Sequence, residues 1–502
     1  MRLAELMGTL SLASDAAMGM PAEHGLRAAT VAVRLGELVG ATEVERADAY
    51  YLALMRYAGC TADSGLAAEV FGDEVAMRGA LYGVDFGAPS ELLPRLASAA
   101  RARRGVMGAI KTIAQMPKLL DSAQSHCEVG DRLAARFGFG AAFRAALLQS
   151  FERWDGRGWP AKIKSTALTK AMRLAHVAEV VETAHRSGGV AGARAMTRKR
   201  AKKELDPELV ASFGANAEEV CAVLEVPSAW SAAMEAEPRA WRMVDGEGLE
   251  EGLKALGDFA DLKSRYTPGH ARGVAALVKD AAAIAKLDDE TSRTLVLAAF
   301  VHDLGRVGVS AAVWDNPRAL NDLEREQIRT HTYVGERLLA KASGLSAVAA
   351  VATLAHERLD GGGYHRRLDA TSCKSPARLL AAADVYRAMI EERPHRAALT
   401  ADDAAKELSA MARSGALCPD AVAAVLGAAG HAAPKKERPS GLTEREVEVL
   451  RLVARGLTNK EVATALEVAT KTAGNHIQNI FAKIGVTTRA AATLFAMQNG
   501  LV

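Results

Sequence analysis

In the C-terminal part of this chain, apolar positions fall at helical spacing: Val447, Leu450, Val453 and Ala454 follow Thr443, which forms a capping box with Glu446. Gly456 closes that helix, and residues 459–468 and 470–486 predict two more joined by a short turn. Elsewhere, Ala-rich runs such as 281–283 and the scarcity of alternating β-branched stretches favour helix throughout, so the expected fold class is all-α. Charges interrupt the apolar N-terminal stretch M-R-L-A-E-L-M, and no apolar run reaches about 18 residues, which predicts a soluble chain with no membrane span. Two stretches break the pattern. Residues 214–251, with Pro227, Trp230, Pro238 and Trp241, read as a connecting segment with short helices, and 431–440 (H-A-A-P-K-K-E-R-P-S) as an interdomain linker.

The chain also repeats itself. His24 to Arg56 and His270 to His302 both span 32 residues; His126 to Glu152 and His331 to Glu357 both span 26; Glu152 to Glu179 and Glu357 to Asp384 both span 27. F-E-R-W-D-G-R-G-W-P in one copy answers H-E-R-L-D-G-G-G-Y-H in the other. These matched intervals indicate a tandem duplication, residues 1–213 and 252–430, with about 41 extra residues in the first copy near 61–125.

At 502 residues the chain has room for about three domains. Its net charge of +3 says little about partners. The five cysteines form no C-x-x-C pair, which argues against a disulfide framework or a cysteine zinc site and fits a reducing cytoplasm.

The second copy gathers metal-binding chemistry. His302 and Asp303 are adjacent, on what the pattern predicts to be a helix, where their side chains would diverge by about 100°. With His270, His331, His356 and Asp384 they make six N and O donors, a set suited to Fe, Mn, Co, Ni or Zn. Two such ions about 3.5–4 Å apart would clamp a phosphoester for hydrolysis. Arg393 and Arg396 offer forked donors for phosphate oxygens.

These residues, with V-H-D-L-G-R, D-G-G-G-Y and R-P-H-R, resemble an HD-GYP domain, an all-helical member of the HD phosphohydrolase superfamily whose active members hydrolyse cyclic di-GMP. The resemblance implies metal-ligand roles for His270, His302, Asp303, His331, His356 and Asp384, catalytic roles for His302, Asp303 and Arg306, and substrate-phosphate contacts for Arg393 and Arg396. The chain departs from the family pattern at Ala355, where a histidine pair loses one member, at Arg306 in place of lysine, at His365 in place of proline, and at Tyr266 in place of a carboxylate. In the first copy Arg56-Tyr57 replaces His302-Asp303, leaving only His24, His126 and Glu179 as donors. That copy reads as a degenerate relative of the second, and its basic run 194–203 as a solvated helix face.

Residues 441–502 carry seven Lys/Arg against five Glu, an excess of the right sign for DNA. Through L-T-E-R-E-V-E-V-L, G-L-T-N-K-E-V-A and H-I-Q-N-I-F-A-K-I-G-V this module resembles the LuxR-type helix-turn-helix domain, a small four-helix fold. In that geometry Gly474, Asn475 and Gln478 face base edges, while Lys460, Lys471, Thr472 and Lys483 grip phosphate. The resemblance implies double-stranded DNA as partner and a homodimer paired through the last helix. The expected whole is a cytoplasmic DNA-binding transcriptional regulator in which two tandem HD-GYP-like bundles sense a metal-bound cyclic dinucleotide or another phosphorylated small molecule. Two alternatives are an active metal-dependent phosphodiesterase tethered to DNA, and a catalytically dead dimerisation scaffold.

Overall fold

The computed structural model describes residues 1–238, 241–373, 375–430 and 439–502, the side chains of 102–123 and 375 excepted. Among the described residues no β-strand forms, only isolated bridges, so the all-α expectation holds. The chain makes two compact units, Met1–Leu249 with Lys341–Gly344, and Glu250–Ala340 with Leu345–Val502.

In the first unit, helices α1 (His24–Leu38), α2 (Glu43–Met55) and α4 (Lys170–Arg200) pack on one another. Between them runs α3 (Pro89–Arg136), which forms much of the extra length that sets this copy apart. Thr42 and Glu45 form the capping box that starts α2, and Gly189, at φ 56° and ψ −156°, interrupts α4. Short helices at Pro207–Ala215, Ala217–Ala222 and Ala229–Ala236 carry the chain through the connecting segment and pack on this unit.

The second unit repeats the core with α5 (His270–Ile284), α6 (Asp289–Val301) and α8 (Ser375–Met389), joined by α7 (Asp322–Leu339) and closed by α9 (Pro419–Ala429). Both copies make one unusually close backbone approach, where Gly59 meets His126 and Gly305 meets His331. A Cβ at either glycine would stand 1.9 Å from the histidine carbonyl oxygen, so both copies need glycine there.

The last module consists of α10 (Glu444–Ala454), α11 (Asn459–Ala465), α12 (Thr470–Ile484) and α13 (Arg489–Gln498) around a core that includes Val449, Leu450, Ile477 and Ile480. Capping boxes Thr443/Glu446 and Thr458/Glu461 start α10 and α11, and Gly456 at φ 80° turns the chain after α10, as its sequence predicts. The expected linker falls mostly on 431–438, outside the described residues.

Candidate metal centre

His270 opens α5, after Gly269 in the left-handed region (φ 82°), and Asp384 lies on α8. His331 lies on α7, and His356 follows the short helix Ser346–Ala352. His302 and Asp303 require a correction, because α6 ends at Val301. His302 is its C-terminal cap, and Asp303, at φ −103° and ψ 11°, leads into a 3₁₀ turn rather than continuing a helix. The turn aims both side chains inward.

All six residues are buried and converge. His270 Nε2 is 3.1 Å and His302 Nε2 is 3.5 Å from Asp384 Oδ1, and the same two nitrogens are 3.7 and 3.3 Å from Asp303 Oδ2. The other oxygen, Asp303 Oδ1, is 3.2 Å from His331 Nε2 and 2.9 Å from His356 Nε2. Two donor groups therefore meet at one carboxylate, His270/His302/Asp303/Asp384 and Asp303/His331/His356.

Three of the histidines are fixed through their outer nitrogens. Nδ1 of His270 lies 2.8 Å from Glu391 Oε2, that of His302 2.8 Å from the Ala299 carbonyl, and that of His331 2.5 Å from the Ile328 carbonyl. Such partners set the tautomer that turns Nε2 inward, the usual support for a metal-binding histidine. Despite the short distances, His302 Nε2, Asp303 Oδ2 and His331 Nε2 have no directed hydrogen bond. Buried polar atoms of that kind are costly unless something else satisfies them, so the residues present fit a divalent transition metal. Burial opposes charge on His302, yet Asp303 and Asp384 outweigh it and hold the imidazole well above its ordinary range; at His331 burial wins and brings it down to about 4.

The departures from the family pattern have visible consequences. Ala355 is fully buried and offers no donor. Arg306 places Nε 2.7 Å from Asp303 Oδ2 and its guanidinium 4.7 Å from the centre of the Trp314 ring. Tyr364 stacks on His356 at 5.3 Å, and His365 turns instead to Glu336, 2.9 Å away.

Beside the donors lies a cavity of about 260 Å³ whose lining includes Tyr266, Arg306, Trp314, Asn316, Arg393 and Arg396. Arg393 is held by Glu391 at 3.0 Å and by the Tyr266 carbonyl at 3.2 Å. Arg396 commits much of its fork to carbonyls near the end of α8, those of Ala388, Met389 and Glu391, and so also caps that helix. Sequence reasoning missed Glu391 and Trp314. Glu391 had a signal, an acidic residue two positions before R-P-H-R, whereas Trp314 had none.

The shared E-R-x-D-G-x-G motif supports a loop. Glu357 accepts backbone N–H bonds from Arg366 and Leu368, both at 2.8 Å, and Glu152 accepts the equivalent pair from Ala161 (2.6 Å) and Ile163 (3.0 Å).

In the first copy the donor set is consumed internally. His24 Nε2 is 3.0 Å from Glu179, and Nδ1 is 2.5 Å from Glu182. The Tyr57 hydroxyl donates to Glu179 at 2.7 Å, and Arg56 lies 3.8 Å from the same carboxylate. Burial opposes the charges, but these partners hold His24 well above its usual range and bring Glu179 down to about 2. His126 does not join them; it packs edge-on against Phe151 at 5.0 Å. Of the three donors expected from sequence, two meet and one does not. In the basic run Arg198, Lys199, Lys202 and Lys203 are exposed, while Arg194 pairs with Glu218, Lys199 with Glu91 and the buried Arg200 with Glu204.

On the last module Lys460, Lys471, Thr472, Asn475 and Gln478 are exposed and Gly474 is half-buried. Lys483, expected to grip phosphate, is 2.7 Å from Glu446 of its own module.

Residues 254–419 match the HD domain family, and 440–496 match the luxR family of bacterial regulatory proteins. The 3'3'-cGAMP-specific phosphodiesterase 3 of Vibrio cholerae is 28% identical over 410 residues, 80% of this chain and 89% of that protein. A crystal structure of a cyclic GMP-AMP-specific phosphodiesterase from the same organism superposes with a TM-score of 0.60 at 25% identity, covering 86% of this chain and 98% of that one. The response regulator VraR of Staphylococcus aureus is 43% identical over 61 residues, 12% of this chain and 29% of that protein. The chain therefore carries an HD domain, with cyclic dinucleotide phosphodiesterases among its relatives, and joins to it a C-terminal domain of the luxR family of bacterial regulatory proteins.

Proposed function

We propose that this protein is a transcriptional regulator whose second HD domain binds a divalent transition metal and a cyclic dinucleotide, and whose first copy supports it without binding metal. The observation that carries this reading is the pair of donor groups sharing Asp303, beside an arginine-lined cavity and in the same unit as the DNA-binding module. His270, His302, Asp303 and Asp384 would hold one ion, and Asp303, His331 and His356 a second. A bound ion would supply Lewis-acid polarisation of a phosphoester oxygen. Arg306 and Arg393, both facing the cavity, would hold phosphate oxygens, while Trp314 fixes the Arg306 fork from behind. Relatives that act on cyclic dinucleotides support the ligand class.

On the DNA side, Asn475 and Gln478 would read base edges, and Lys460, Lys471 and Thr472 would contact phosphates, with two copies on a two-fold site. No single helix among the described residues is long and apolar enough to cross a membrane, which suits work on DNA in the cytoplasm.

The shared carboxylate also favours a second reading, hydrolysis of the bound cyclic dinucleotide. Metal analysis of the purified protein, with cyclic dinucleotide binding and hydrolysis assays on wild type and Asp303→Ala, separates the two. Stoichiometric metal with binding but no turnover supports the sensor, turnover lost in Asp303→Ala supports the enzyme, and the absence of metal and nucleotide binding refutes both.

A further inference from the structure

The DNA-binding module has a second apolar face that its own core does not use. On α13, Ala491, Ala492 and Ala496 belong to the module core. Ala490, Leu494 and Met497 lie on the opposite side of the helix, at i, i+4 and i+7, outside that core, yet Leu494 and Met497 are completely buried.

The polar contacts around this face lead to the metal-binding domain. Arg272, one turn into α5, donates to the Gln498 carbonyl at 3.1 Å while Asp258 holds it at 2.7 Å. The backbone oxygen of Val502 lies so close to Gly269 that a Cβ there would stand 2.3 Å from it. Arg455, at the end of α10, pairs with Glu392 at 3.1 Å. Each contact falls beside the metal centre. Gly269 immediately precedes His270, and Glu392 lies between Glu391, which fixes His270, and Arg393, which lines the cavity.

We infer that the seating of α13 and the C-terminus on the start of α5 is a latch, so that occupancy of the metal centre alters how tightly the DNA-binding module is held. The inference rests on the proposed metal binding at His270. His270 opens α5 and Glu391 holds its Nδ1, so a metal held at His270 would act on the first turn of α5 and on residues 391–393, the two segments the module touches. The exposed recognition residues stay clear of the seat, so the latch governs the freedom of the module rather than covering its DNA face.

Hydrogen exchange over 489–498 of the full chain tests this, in EDTA and with saturating Mn²⁺, with bound metal quantified on the same samples. Exchange across α13 is expected to change by about 5- to 150-fold on loading, the usual range of coupling between sites. Met497→Arg should speed exchange there in both conditions and abolish the metal dependence at unchanged stoichiometry. Glu392→Arg, an exposed change outside the module, should weaken the metal dependence should Met497→Arg fail to fold. Stoichiometric metal with identical exchange in wild type overturns the latch and leaves the metal reading standing. Absence of bound metal overturns both. Wild-type exchange in both variants shows that α13 is not seated as described and overturns the latch.

Discussion

Glu152→Ala should destabilise the first unit although that unit holds no intact metal site. The Glu152 carboxylate, 2% exposed, accepts two backbone N–H bonds, from Ala161 at 2.6 Å and Ile163 at 3.0 Å. Hydrogen bonds to an ionised acceptor contribute about 1.5–3 kcal/mol each, but both donors lie on a loop that water can reach, so the expected loss is about 3 kcal/mol. For a unit of this size that lowers the first thermal transition by about 6–12 °C. Glu152→Gln keeps one acceptor and should lose roughly half as much. Calorimetry on the full chain reads both, and a Glu152→Ala melt within about 1.5 °C of wild type, well under the shift expected for 1 kcal/mol, would refute the scaffold reading. The twin substitution Glu357→Ala should cost the second unit a similar amount while bound metal is retained. If Glu357→Ala instead loses metal without losing stability, the motif belongs to the metal centre.

Other expectations follow from the same geometry. Glu391→Gln removes the charge from the partner of His270 Nδ1 and should weaken metal binding about 10- to 100-fold by calorimetric titration, whereas wild-type affinity would show that Glu391 does not support a ligand. Lys471→Ala should weaken binding evenly across DNA sequences and reduce the slope of log K against log salt by about 0.9, and an unchanged slope would place Lys471 off the phosphates. His176, buried against the Ser150 carbonyl, is brought down to about 3 by burial and then by Arg56. The fold keeps it neutral while the unfolded chain protonates near pH 6.5, so its contribution is full above that pH and falls by about 1.4 kcal/mol per pH unit as pH drops toward 3. His176→Asn should flatten the acid limb of the stability profile by about one proton, and an identical slope would refute the assignment.

Much of the metal centre was legible because duplication set a frame: His270 and His331 keep the intervals of His24 and His126, and within that frame the second copy alone supplies His302, Asp303 and His356. The comparison framed the donor set. It could not separate the shared Glu357 from a functional residue, since a loop-bracing carboxylate and a ligand look alike in sequence. Helix ends were legible where capping boxes mark them, at Thr443 and Thr458, but not at His302, where α6 stops one residue short because the chain must turn inward. Lys483 reads as a phosphate contact by position, and only packing reveals that Glu446 holds it. The burial of Leu494 and Met497 is a tertiary fact that no spacing rule contains.

The two copies show how a metal site can be dismantled without losing the fold. In the second copy Arg387 and Glu391 form an i,i+4 pair, and Glu391 reaches His270 Nδ1. In the first, the corresponding positions carry Glu182 and Arg186, the same pair reversed, and Glu182 reaches His24 Nδ1. The outer support of the histidine thus survives while its charge donor moves one helical turn. The inner side diverges, because Arg56 and Tyr57 occupy the positions of His302 and Asp303 and bring a fixed cation and a hydroxyl donor to Glu179. Those groups satisfy the carboxylate that would otherwise need an ion, so the first copy stays folded without one. The second copy has only Arg306 to play that part, and Arg306 reaches just one oxygen of Asp303, leaving His302 Nε2 and His331 Nε2 unsatisfied. What separates the copies is the donor set: four histidines converge on Asp303 and Asp384 in the second and give it a physical reason to bind metal, whereas the first brings His24 to Glu179 beside the fixed cation of Arg56.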